Sequence, residues 1–187
     1  MVSLAHLWLP ILLSTVFVFI ASSLINMLLK FWHTPDYRSF TNEDEIAAAM
    51  RKGGVTPGAY VIPWCKGPEA MKDPAMQEKF KQGPVACVNV RANGPMNIGA
   101  FLGQWFVFCL LVSIACACLA APVLPAHPES HVAFHTIGLA ALLGYSFGEI
   151  PNAIWRGQPW MVTVKYFIDG VVYALITAAT FCWLWPA

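Results

Sequence analysis

The chain has 187 residues, of which 58% are hydrophobic and only 11% charged, with a formal net charge of +1. Soluble domains carry about a quarter charged residues, so a single soluble core would not bury this much apolar surface, whereas a bilayer would. The near-neutral balance and the lack of any basic cluster argue against a nucleic-acid partner.

Taken in chain order, the first element is an uncharged apolar run from Leu4 to Leu29. A hydrocarbon core about 30 Å thick needs about 20 helical residues, so this run is long enough to span. No Lys or Arg precedes it, and its apolar stretch exceeds that of a signal peptide. It reads as a permanent anchor. Ser22, Ser23 and Asn26 add a polar layer towards its end.

Residues 31–97 form the one sizeable polar segment, with seven acidic and eight basic side chains. Thr41 with Asp44 resembles a capping box opening a helix to Lys52, which Gly53-Gly54 would stop. Asp73-Pro74 reads as a cap and a first-turn proline, with a helix to Gln82 ending at Gly83. Ala59–Trp64 and Val85–Val90 read as short strands. The insert is thus a small α+β subdomain that needs a membrane face or a partner to pack on. Cys65 and Cys87, near the strand ends, read either as reduced thiols or as a metal or redox pair.

Three more apolar runs follow: Ile98–Val123, Val132–Trp155, which contains only Glu149, and Tyr166–Trp185, which contains only Asp169. The expected fold is all-α and membranous, with four transmembrane helices at about 4–29, 98–123, 132–155 and 166–185. The insert lies between helices 1 and 2. All eleven Lys and Arg residues then fall on one side, in 30–97 and at Arg156 and Lys165. Basic residues near span ends stay in the cytoplasm, so both termini are expected outside and 31–97 in the cytoplasm. Trp8, Trp183 and Trp185 would mark the outer interface, and Trp32, Trp155 and Trp160 the inner one.

Small-xxx-small pairs Gly99/Gly103, Gly144/Gly148 and Gly170/Ala174 provide faces for bundle packing or self-association. Asn26, Glu149 and Asp169 are the intramembrane polar candidates, because a charge in hydrocarbon is costly and marks function by default. Arg156 and Lys165 lie close enough in sequence to neutralise the two acids, making a structural latch; the other readings are a proton or cation site and simple hydration at the interface. Pro151 has the means to break the third span just after Glu149.

On the opposite side, His127, His131 and His135 recur every four residues, and His6 lies at a similar depth. Cys116, Cys118 and Cys182 end nearby spans. Imidazole with thiolate suits Zn or Cu, and a His pair on facing spans suits haem iron. His6, His131 and His135 are therefore the candidate metal ligands, against the alternatives of plain interface residues and a pH-sensitive surface.

The stretch Glu149-Ile150-Pro151-Asn152-Ala153-Ile154-Trp155-Arg156-Gly157-Gln158-Pro159-Trp160 stands out. Together with Asp169-Gly170, Tyr173, Trp183-Leu184-Trp185-Pro186 and Gly99…Gly103-Gln104-Trp105-Phe106, it resembles a group of small uncharacterised bacterial four-span inner-membrane proteins. That resemblance implies four spans and a bacterial inner membrane, and supplies no activity. With no nucleophile elbow, phosphate-cradling glycine loop or HExxH, the leading expectation is a non-enzymatic accessory or scaffold subunit. That subunit would sit in the lipid bilayer, within a larger membrane complex or self-associated. The alternatives are a metal- or haem-binding redox protein and a small dimeric transporter.

Overall fold

The computed structural model describes residues 2–186. The helical unit takes the chain up to Tyr37, then Asn97–Ala153, and from Gln158 onward; the second unit is Arg38–Met96 with Ile154–Gly157.

In the helical unit, α1 (Trp8–Ser23) is entered through a 3-10 turn at Leu4–Leu7 and leaves through a π turn at Leu24–Leu28. Ser14, Thr15, Ser22 and Ser23 satisfy their hydroxyls on the preceding turn of this helix, as small hydroxyls do in apolar surroundings. The short α2 (Lys30–His33) follows, then a 3-10 turn at Thr34–Asp36 that Pro35 helps to start. Beyond the second unit come α5 (Ile98–Ala120), α6 (Ser130–Ser146), α7 (Ile150–Arg156) and α8 (Trp160–Leu184).

Among the described residues, three helices are long and apolar enough to cross a membrane: Leu4–Leu28, Ile98–Ala120 and Trp160–Leu184. The expected third run, 132–155, is not one unbroken helix. It stops at Ser146, turns through 3-10 geometry at Phe147–Glu149 and resumes as α7. Pro151 has no N–H to give the carbonyl four residues back, which explains why the ladder is interrupted here. α8 begins six residues earlier than the apolar run that foretold it, because Pro159 caps it and Lys165 is carried inside it.

The helices meet through small residues. One core cluster gathers Leu7, Ala117, Ala120, Ala133, Ile137, Ala141, Ala178 and Phe181. A second brings together Val18, Cys109 and Tyr173. α6 and α8 run antiparallel along this seam: the Cys182 thiol donates to the Ser130 carbonyl, Gly138 faces Ala178, and Gly170 faces Ser146. A Cβ added to Gly170 would lie 1.9 Å from Ser146 Oγ, so only glycine fits. At Gly144 the neighbour is the side chain of Val112, at 3.0 Å. The other expected small faces differ: among the described residues, an added Cβ at Gly103 or Gly148 meets nothing within 4 Å, and at Gly99 only Asn97 of its own cap.

In the second unit, α3 (Glu43–Lys52) is capped by Asn42, whose side chain bonds Glu45, one residue later than the expected Thr41 box. It ends at Gly53. β1 (Gly58–Ile62) pairs antiparallel with β2 (Ala86–Val90), Tyr60 facing Val88. Between them lies α4 (Pro74–Gln82), capped by the Asp73 carboxylate and ended by Gly83 at φ +63. Cys65 and Cys87 are free thiols.

Candidate functional site

The chemistry concentrates where α1 ends and α8 begins. The π turn and the break at Leu29 redirect the chain, so that α2 carries Trp32 and His33 against α8. Asp169, 4% exposed, receives both: Trp32 Nε1 donates to its Oδ1 at 2.8 Å, and His33 Nε2 lies 2.6 Å from its Oδ2. The other ring nitrogen, Nδ1, lies 3.0 Å from Asp36 Oδ2. Lys165 Nζ donates to Asp36 Oδ1 at 2.5 Å and to the Trp32 carbonyl at 2.6 Å. Tyr166 stacks on the imidazole at 4.8 Å between ring centroids.

A neutral imidazole has one donor and one acceptor, and its bare nitrogen repels a carboxylate. With a carboxylate oxygen at each nitrogen, the arrangement is satisfied when His33 is the imidazolium. Two carboxylates, one imidazolium and one ammonium then cancel, which is what a cluster this buried requires. Burial works against the Asp36 charge, but hydrogen bonds from Lys165 and His33 outweigh it and hold its carboxyl below the ordinary 3.8.

Beside the cluster lies a cleft of about 640 Å³, within the range of ligand sites. Asp169 and Tyr166 form part of its wall. α1 contributes Ser22 and Ser23, the π turn after it contributes Asn26, and the α6 end and the turn after it contribute Tyr145 and Glu149. Trp105 of α5 donates to Ser22 Oγ at 2.7 Å and pins the helices behind the cleft. Asn26 donates to the Ser22 carbonyl. Glu149 is half-buried; its Oε2 accepts from the amides of Asn152 and Gln158 at 3.1 and 3.4 Å.

No family model matches the chain, and no curated protein and no solved structure is similar to it.

Of the three intramembrane candidates, Asn26, Glu149 and Asp169 all line this one cleft. Their expected partners differ. His33, not Lys165, pairs with Asp169, and Lys165 reaches past it to Asp36; amides rather than Arg156 bond Glu149. The histidine group on the other side of the sequence pattern is not brought together. His6, His127, His131 and His135 are all exposed, and among the described residues no three His, Cys, Asp or Glu side chains are placed to hold a metal ion. Helix α6 starts only at Ser130, which leaves His127 off it. His131 turns to Glu129 at 3.5 Å, both well exposed. Cys116 is buried, its thiol directed to the Ile137 carbonyl at 4.0 Å.

His33 and Asp36 escaped the sequence reading because they lie just past an apolar run. The signal was present: a His and an Asp three apart, around Pro35, next to a span end.

Proposed function

We propose that the chain is a multi-pass membrane protein that crosses the bilayer four times and binds an amphipathic molecule in the cleft beside Asp169. The cleft carries this reading: about 640 Å³ of mostly apolar space whose wall also holds Ser22, Asn26, Glu149 and Asp169. The antiparallel seam from Ser130–Cys182 to Ser146–Gly170 supports α6 as a fourth crossing, since it lies alongside most of α8. Leu111, Leu139, Leu143 and Leu175, all about half exposed, suit a lipid surround. The sidedness of all eleven Lys and Arg residues supports outer termini, a cytoplasmic 31–97 segment and, in a bacterial host, the inner membrane.

The test is a plug. Gly148 lines the cleft and has open space at its Cβ position, so Gly148→Trp fills it without an internal clash. Native mass spectrometry of the gently purified chain is expected to show a bound amphiphile, near one per chain, that Gly148→Trp releases. Equal occupancy in both chains, or none in either, would remove the reading.

A second reading, an accessory subunit of a larger complex, is favoured by the insert. Every residue of β1 is exposed and Trp64 is 70% exposed, beside a hollow formed with Met76 and Pro84. Stoichiometric partners that co-purify with the chain and are lost in Trp64→Ala would support it.

A further inference from the structure

We infer that the occupant of the cleft is a lipophilic organic cation, an onium or ammonium head on an apolar body. The inference rests on the binding reading above and names its ligand class. Charge comes first. Around His33, the carboxylates of Asp36 and Asp169 face the imidazole, and Asp36 also meets the Lys165 ammonium. Glu149 stands apart from them: its hydrogen-bond donors are neutral amides, both on Oε2, and the ion pairs of His33, His131 and Lys165 leave it out. No Lys, Arg or His lines the cleft. A carboxylate in such surroundings is stabilised most by a cation that enters with its own apolar body.

The rest of the wall fits that guest. Phe101, Trp105, Phe108, Tyr145, Tyr166 and Tyr173 all line the cleft. Aromatic faces attract organic cations through their quadrupoles, most strongly where water is excluded. An anionic head would meet the Glu149 carboxylate, whose hydrogen-bond donors are neutral amides. A neutral head would gain hydrogen bonds from Ser22, Ser23 or Asn26 but would leave the Glu149 charge unanswered.

The experiment uses the full chain in a neutral maltoside detergent and two ions of nearly equal size and opposite sign, tetraphenylphosphonium and tetraphenylborate. Radiolabelled tetraphenylphosphonium is expected to bind saturably, near one per chain, and tetraphenylborate not to displace it. Glu149→Gln keeps an acceptor for the two amides and removes the charge; it is expected to weaken binding about ten- to hundredfold. Phe108→Leu is expected to weaken it about two- to thirtyfold while leaving the charge in place. Absence of saturable binding, displacement by tetraphenylborate at equal concentration, or unchanged affinity in Glu149→Gln would overturn the cation assignment. If an amphiphile that Gly148→Trp releases is still present in that case, the cleft reading stands and only the ligand class falls. If Gly148→Trp changes nothing, both fall.

Discussion

His33 Nε2 and Asp169 Oδ2 lie 2.6 Å apart across 136 positions of sequence, both side chains buried. This one contact ties the short helix after the first apolar run to the last. Removing one partner of a buried pair leaves the other charged and unanswered, which costs about 3–5 kcal/mol. His33→Ala and Asp169→Asn are each expected to lose stability on that scale. Thermal unfolding of the detergent-purified chain reads it. The double substitution is expected to cost less than the two single losses added, because the second removes a group already stranded.

Asp36 gives the cluster a pH dependence with a definite sign. Its carboxyl titrates lower in the folded chain than the ordinary 3.8, so the folded state holds fewer protons there than the unfolded one. The stabilisation is complete above about pH 4 and is lost as pH falls through the folded value. Melting temperature measured from pH 6 down to pH 3 is expected to fall, and Asp36→Asn is expected to flatten that slope at a lower starting stability.

Two glycines on the same chain should respond in opposite ways to one methyl group. Gly170→Ala forces a carbon onto Ser146 and is expected to cost about 1–3 kcal/mol. Gly103→Ala meets nothing within 4 Å and removes a flexible residue from a helix interior, so it is expected to be neutral or to add about 0.5–1 kcal/mol. Paired thermal melts distinguish them directly.

Zn or Cu added to the purified chain is expected to leave its melting temperature unchanged. His131→Ala and His135→Ala should each shift stability by less than about 0.5 kcal/mol, as exposed substitutions do. A metal-dependent rise that either substitution abolishes would restore the histidine group as a site.

The proposed topology has a direct chemical test. Cys87, exposed on β2, should resist a membrane-impermeant maleimide in intact bacterial cells and react once the cells are opened. Labelling of Cys87 in intact cells would reverse the orientation.

Much of the second unit was legible in the chain itself. Asp73-Pro74 and Gly83 bound α4 as local rules require, because caps and breakers act within one turn. The two strands shift by one or two residues at their ends, and the first helix starts one residue late. Gly144 and Gly170 were rightly marked as packing positions, whereas Gly99 and Gly103 carry the same spacing with nothing opposite them. Spacing states that a close approach is allowed, and only the partner helix decides whether it is used. Asn26, Glu149 and Asp169 stood out as polar groups in apolar runs and do share a cleft. Pro151 signalled the break in the third run just after Glu149, although hydropathy, which is blind to a proline's missing N–H, still gave 132–155 as one span. For the histidines, periodicity on one helix fixes direction but supplies no second ligand-bearing wall, and among the described residues no three such side chains are placed to hold a metal ion.

The approach of Gly170 to Ser146 also constrains how sequences related to this one can differ. A side chain at 170 is admissible only where the opposing position gives up its own, since Ser146 Oγ, Cβ and Cα all lie within 3.3 Å of the added carbon. The two positions therefore form a single inheritable volume, divided one way here. Descendants carrying alanine at 170 should carry glycine at 146, and Ser146→Gly introduced into the Gly170→Ala chain should recover a good part of what the first change removed.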